Sequence, residues 1–127
     1  MAQKELFAGC KVLVVEDELL IALDLSRILQ DLGCNVIGPV GSLEKALDLL
    51  SAQRPDVALI DEDLRGRPAT PLAESLRRQN IPFAILSGYE RSPSGDEALV
   101  NATRVRKPTP VIAIRKVLNE LWRELGH

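Results

Sequence analysis

The sequence predicts a three-layer α/β domain, a parallel sheet with helices packed on both faces. Two features carry that prediction. The apolar stretches "CKVLVV", "DVALID" and "PFAILS" run without regular polar alternation, the pattern of strands buried on both faces rather than on one. Strand-like and helix-like segments also alternate five times with short connections, and that alternation builds parallel βαβ crossovers.

Each element has a local reason. "CKVLVV" reads as the first strand, and "DELLIALDLSRILQDLG" as an amphipathic helix that stops at Gly33. "CNVIGPV" is the second strand, after which Ser42 is placed to cap a helix read over Lys45 to Leu50. Beyond Pro55, "DVALID" makes the third strand. "TPLAESLRRQN" makes the third helix, with Pro71 in the first turn, where its missing N–H is harmless. "PFAILS" is the fourth strand, "RVRK" ends a weaker fifth, and "PVIAIRKVLNELWREL" is a long final helix. Before the fifth strand, "YERSPSGDEALVNAT" holds Pro93, Ser94 and Gly95 with little periodicity, so it reads as a loop with at most a short helix.

A chain of 127 residues with 46% apolar and 27% charged side chains fits one globular domain over 1–127, its core spanning 11–125. The net charge of −2 argues against a general electrostatic grip on nucleic acid, and no basic stretch interleaves with aromatics. Cys10 and Cys34 are too few for a zinc quartet and read as reduced structural thiols, Cys10 at a strand edge and Cys34 buried. Trp122 is expected on a helix face, and His127 in a disordered end. No apolar run approaches a membrane span and the first residues lack a signal-peptide pattern, so the expected location is the cytoplasm.

In open parallel sheets, ligands bind beyond the carboxyl ends of the strands. Here those ends carry Glu16-Asp17, Asp61 with Asp63 two further on, Ser87-Gly88, and Lys107-Pro108. In a sheet of order 2-1-3-4-5 they meet at one edge. Clustered carboxylates repel and hold protons unless a divalent cation offsets them. Oxygen donors without histidine or thiolate suit Mg²⁺.

Four fragments in this order, "VLVVEDE", "DVALIDEDLRG", "ILSG" and "RKP", resemble the receiver domains of two-component response regulators, over Lys11 to Leu125. The resemblance implies a flavodoxin-like (βα)5 fold with a five-stranded parallel sheet of order 2-1-3-4-5. It implies that Asp61 is the phosphoacceptor in a phosphorelay, Asp17 a direct Mg²⁺ ligand, and Glu16 an acid acting mainly through water. By the same resemblance Asp63 contributes its backbone carbonyl, Lys107 pairs with the acceptor and then the phosphoryl group, and Ser87 hydrogen-bonds the phosphoryl oxygen. Gly88 keeps the entrance open, and Lys107–Pro108 is expected to be cis. Asp61 is expected to be ionised already, so that no general base is needed. The implied partners are a histidine kinase or histidine phosphotransferase, and a downstream protein. Dimerisation on activation, through strand five and the last helix, is a further option. The domain would catalyse only its own phosphorylation and dephosphorylation, with no contact to nucleic acid or membrane.

Some positions depart from the family. Arg104 stands where receivers carry a Tyr or Phe switch, Arg65 replaces a proline after the acceptor, and Thr109 follows Lys107-Pro108 in place of Phe. With "SGY" and the weak fourth helix, the chain resembles an atypical receiver subgroup found alongside HWE-type histidine kinases in alphaproteobacteria. Tyr89 reads as a surface aromatic, with the role of substitute switch as the alternative. Residues 88–101 are the expected moving element.

Bland readings compete with these. Glu16 and Asp17 also suit a solvated helix start, Ser87 a turn and Asp63 a loop; it is the joint set with Asp61 and Lys107 that favours a site. On the first helix, Ile21, Leu25, Ile28, Leu29 and Leu32 form the expected core stripe, while Leu19 and Leu23 point away. Those two leucines are either ordinary surface residues or a docking patch for a histidine-bearing helix. Two other functions fit the acids: a Mg²⁺-dependent aspartyl-nucleophile phosphatase, with Asp63 as acid/base, and an unphosphorylated pseudo-receiver scaffold in which Arg104 is a built-in cation. Multiple turnovers on a phosphomonoester would mark the first; failure to be modified at Asp61 would mark the second.

Overall fold

The computed structural model describes residues 7–88, 102–107 and 109–126. In chain order the elements are β1 (Lys11–Val15), α1 (Leu19–Asp31), β2 (Asn35–Val40), α2 (Leu43–Ala52), β3 (Val57–Asp61), β4 (Asp63–Leu64), β5 (Arg67–Pro68), α3 (Thr70–Arg78), β6 (Phe83–Ser87), β7 (Thr103–Arg106) and α4 (Val111–Glu124). Five strands form one parallel sheet in the order β2-β1-β3-β6-β7. Counting only the strands of that sheet, this is the order 2-1-3-4-5 that the resemblance implied.

The two faces of the sheet bury separate clusters. Leu25 and Leu29 of α1 and Ile114 and Leu118 of α4 pack with Val12, Val14, Val57 and Leu59. Ala46 and Leu50 of α2 and Leu72 and Leu76 of α3 pack with Leu13, Ala58, Ile60 and Ile85 on the other face. β3 is buried at every position, the reason its sequence is an unbroken apolar run. Trp122 is half-buried against the α1/α4 side, as expected for a helix-face residue. Cys10 and Cys34 are both free and buried; Cys10, expected at an edge, is fully enclosed.

Local chemistry explains most element ends. Ser42 Oγ accepts from the Lys45 amide at 3.2 Å, so the second helix begins at Leu43, slightly earlier than expected. Gly33, at φ +97, ends α1, with the Cys34 amide donating to the Leu29 carbonyl at 3.0 Å. The Asp56 carboxylate takes the Lys11 amide at 2.9 Å and fixes the start of β1 beside β3.

One expectation needs correction, and two features went unread. Of the expected α1 stripe, Leu25, Leu29 and Leu32 are buried and Ile28 packs against their cluster, but Ile21 sits half-buried on the flank and Ala22 and Ser26 join the buried face. Small side chains at 22 and 26 let the helix approach the sheet closely, and Ser26 satisfies its hydroxyl on the Ala22 carbonyl at 2.8 Å. The short antiparallel hairpin β4–β5 directly after Asp61 went unread, because two-residue strands carry no periodicity. Its turn places Arg65 at φ +56 and Gly66 at φ +82, the left-handed pair that tight hairpins require. The second strand also carries a bulge: Leu13 pairs with Ile37 but Val15 with Val40, leaving Gly38 and Pro39 opposite Val14. Gly38 has φ +96, and a Cβ there would lie 3.0 Å from the Val14 carbonyl oxygen.

Tyr89 and the 89–101 segment, the Lys107–Pro108 bond and His127 lie outside the described residues. Among the described residues no helix is long and apolar enough to cross a membrane.

Candidate functional site

Because the strands are parallel, their carboxyl ends share one edge. The registers Val15↔Ile60, Asp61↔Leu86 and Ser87↔Arg106 bring the residues that follow each strand level with one another. The bulge in β2 completes the edge: the Val40 carbonyl accepts from the Glu16 amide at 2.9 Å, and Gly41 lies against Asp17, where a Cβ would sit 3.3 Å from the Asp17 Cα.

Glu16, Asp17 and Asp61 each present a carboxylate oxygen within 4.8 Å of the others. Glu16 and Asp61 are buried, and Asp17 is half-exposed. Lys107 Nζ stands 3.3 Å from Asp61 Oδ2, the pairing the resemblance implied, and closer still, 2.6 Å, to Glu16 Oε1. The Lys107 amide donates to the Ser87 carbonyl at 2.9 Å, tying β7 to β6 beside the acids. Backbone amides serve the carboxylates as well: Glu18 donates to Glu16 Oε2 at 3.0 Å, Arg65 to Asp17 Oδ2 at 3.2 Å and Asp63 to Asp61 Oδ1 at 3.4 Å.

These contacts set the electrostatics. Burial, reinforced by the Glu16 charge, pushes the Asp61 carboxyl up to about 7, against the opposing pull of Lys107 and the Asp63 amide. In the metal-free site the Asp61 carboxyl is therefore harder to ionise than an ordinary aspartate. For Asp17 burial acts in the same direction, but hydrogen bonds with Asp61, Glu16 and the Arg65 amide outweigh it and hold the carboxyl below its usual range. Burial works against the charge of Lys107, yet Glu16 and Asp61 outweigh it and raise the ammonium above its usual value. One ammonium thus faces three carboxyls. That imbalance and the all-oxygen donor set fit a hard divalent cation such as Mg²⁺.

Of the residues singled out in the sequence, Glu16, Asp17, Asp61 and Lys107 come together, with Ser87 buried at the end of the neighbouring strand. The Asp63 side chain is exposed and outside the acid cluster; its amide is what faces Asp61. Gly88 is exposed, and a Cβ there would meet nothing within 4 Å among the described residues. Leu19 and Leu23 are exposed as expected, at 68% and 51%. Leu20, which the sequence reading passed over, is more exposed still at 81%. Arg104 does not enter the acid cluster: its guanidinium pairs with the buried carboxylate of Glu62. Glu62 also went unread, since an acid in "DEDLRG" looks like part of a solvated turn until the sheet brings Arg104 to it.

The geometry agrees with comparison to known proteins. A family model described as the response regulator receiver domain matches residues 12–118. The chain belongs to the response regulator receiver domain family. The phyllosphere-induced regulator PhyR of Methylorubrum extorquens is 30% identical to this receiver over 121 residues, covering 91% of the chain and 42% of the relative. The transcriptional regulatory protein PdtaR of Mycobacterium tuberculosis is 28% identical over 82 residues, 64% of the chain and 40% of the relative. The receiver thus spans well under two thirds of the length of these curated relatives. Among solved structures, SdrG from Sphingomonas melonis Fr1 superimposes with a TM-score of 0.77 at 32% identity, covering 89% of this chain and 96% of that one. The PhyR of Brucella abortus matches with a TM-score of 0.81 at 21% identity, over 95% of this chain and 51% of that one, a likeness of fold.

Proposed function

We propose that this receiver accepts a phosphoryl group on Asp61 from a phosphohistidine of a histidine kinase or histidine phosphotransferase, with Mg²⁺, and thereby changes its affinity for a protein partner. The observation that carries the reading is the acid cluster of Glu16, Asp17 and Asp61 with Lys107 reaching into it, in a chain of this family. Asp17 and Asp61 would hold the metal directly, Glu16 mainly through water, and Asp63 by its backbone carbonyl. Bound there, the cation would offset the carboxylate charge and the charge of the transferring group.

The chain's own residues have the following roles in this reading. An Asp61 oxygen forms the new O–P bond while the P–N bond of the donor breaks and its electron pair returns to the imidazole. The Lys107 ammonium stays charged, held by Glu16, and lies within reach of the oxygen that Asp61 presents. Ser87, at the end of β6, supplies a hydroxyl for a phosphoryl oxygen, and Gly88 leaves the approach open. Leu19, Leu20 and Leu23 make an apolar patch beside the acids on which a histidine-bearing helix can dock.

The test is incubation with acetyl phosphate and Mg²⁺, followed by intact mass. A gain of one phosphoryl group in the wild type, absent in Asp61→Ala, is the expected result. No gain in the wild type would replace this reading with the scaffold alternative, and multiple turnovers on a phosphomonoester would favour the phosphatase.

A further inference from the structure

Cys10 and Cys34 stand at the amino ends of β1 and β2, the end of the sheet away from the acids, and the phosphoryl chemistry proposed above does not use them. Each follows a glycine in the left-handed region, Gly9 at φ +81 and Gly33 at φ +97, and each leads straight into its strand. β1 and β2 pair in parallel with Lys11 opposite Asn35, and the Asn35 amide donates to the Cys10 carbonyl at 2.8 Å. One residue earlier on each chain segment, Cys10 therefore faces Cys34, and both side chains join the α1/α4 cluster.

Adjacent strands run about 4.8 Å apart, inside the roughly 4.4–6.8 Å that disulfides span between Cα atoms. The two thiols already hydrogen-bond to each other. The pair is also asymmetric. Cys10 is fully enclosed, whereas Cys34 keeps 5% of its surface exposed, so a small oxidant meets Cys34 first. The hydrogen bond with Cys34, and after it burial, pushes the Cys10 thiol up; the same hydrogen bond holds the Cys34 thiol below its usual value against burial. Cys34 is thus the better nucleophile, with Cys10 placed beside it to complete a bond.

We propose that Cys10 and Cys34 are a redox-active dithiol, which hydrogen peroxide converts to a disulfide joining the amino ends of β1 and β2. In the first step the Cys34 sulfur attacks one peroxide oxygen and the O–O bond breaks. The released hydroxide takes up the proton that Cys34 gave up and leaves as water, and Cys34 becomes a sulfenic acid. In the second step the Cys10 sulfur attacks the Cys34 sulfur, the S–S bond forms and the S–O bond breaks, and the departing hydroxyl leaves as water with the Cys10 proton. Two thiols have then lost two electrons, and one peroxide has become two waters. The site lies at the far end of the strands from Asp61 and does not depend on phosphorylation.

The test exposes the reduced, folded protein to hydrogen peroxide in native buffer, alkylates the remaining thiols in denaturant, and maps the peptides by mass, which separates the cysteines from oxidation at Met1. The expected result is loss of both free thiols, with a peptide joining residues 10 and 34 that dithiothreitol releases. Two alkylated cysteines, or separate higher oxides on each, would overturn the couple. So would a linked peptide that forms only when urea is present during oxidation. Cys10→Ser is expected to leave Cys34 as a sulfenic acid that dimedone traps, and Cys34→Ser to leave Cys10 reduced over the same time. Capture of Cys10 in Cys34→Ser as fast as capture of Cys34 in Cys10→Ser would overturn the order of attack. If a serine at either buried position unfolds the chain, alanine variants give the same readouts, and the wild-type map alone decides whether the disulfide forms.

Discussion

Lys107 reaches both Asp61 and Glu16, and for Asp61 burial decides the balance, helped by the Glu16 charge: its carboxyl rises from 3.8 to about 7. The folded protein therefore holds a proton that the unfolded chain has released between those values. Stability from this group is full below the unfolded value and is lost as pH rises toward the folded one. Asp61→Asn removes the charge that burial penalises, so in metal-free buffer at pH 8 it should stabilise the fold by up to about 4 kcal/mol, with the gain shrinking toward pH 4. Urea melts of both proteins across that range measure it; a gain that is flat with pH would show that the carboxyl titrates normally. At this scale Glu16, Asp17, Asp61 and Ser87 could be picked out because they end or follow apolar runs, and Lys107 because it stands in the "RKP" fragment that closes the weaker last strand. Glu62 and Arg104 stayed hidden, because nothing in a local pattern pairs residues 42 positions apart.

At the scale of elements, α1 divides its work between two surfaces. Ala22, Leu25 and Leu29 are buried against the sheet, whereas Leu19, Leu20 and Leu23 are exposed at the end nearest the acids. If those leucines receive a donor helix, a charge among them should matter only for a large donor. Leu23→Glu is expected to slow phosphotransfer from a histidine kinase or phosphotransferase by roughly tenfold, the cost of a charge in an apolar contact of about 1.4 kcal/mol. Its labelling by acetyl phosphate should stay at the wild-type rate. Equal rates with the protein donor would leave these as ordinary surface leucines. The existence and order of the long elements could be read from period and capping residues. The β2 bulge and the β4–β5 hairpin could not, since both are set by how neighbouring strands meet rather than by the residues within them.

Across the whole molecule, two apolar layers hold a sheet whose carboxyl edge gathers like charges. That is a frustrated arrangement which a bound cation should relieve, because a ligand that binds only the folded state stabilises it by mass action. Mg²⁺ at a hundred times its dissociation constant is expected to add about 2.7 kcal/mol to unfolding stability. Asp17→Asn should abolish most of that gain. Thermal unfolding with and without Mg²⁺ measures both, and an equal shift in Asp17→Asn would place the cation elsewhere.

The sequence by itself determined the α/β class, the alternation of elements and the residues that stand at the strand ends, because burial on two faces writes unbroken apolar runs and polar residues can only follow where a strand leaves the core. Tertiary structure alone decided which of those ends converge, that Lys107 lies closer to Glu16 than to Asp61, that burial and Glu16 push the Asp61 carboxyl upward, and that Arg104 reaches across β6 to Glu62. Those outcomes depend on distances and on dielectric surroundings between strands remote in the chain, and no local pattern encodes either.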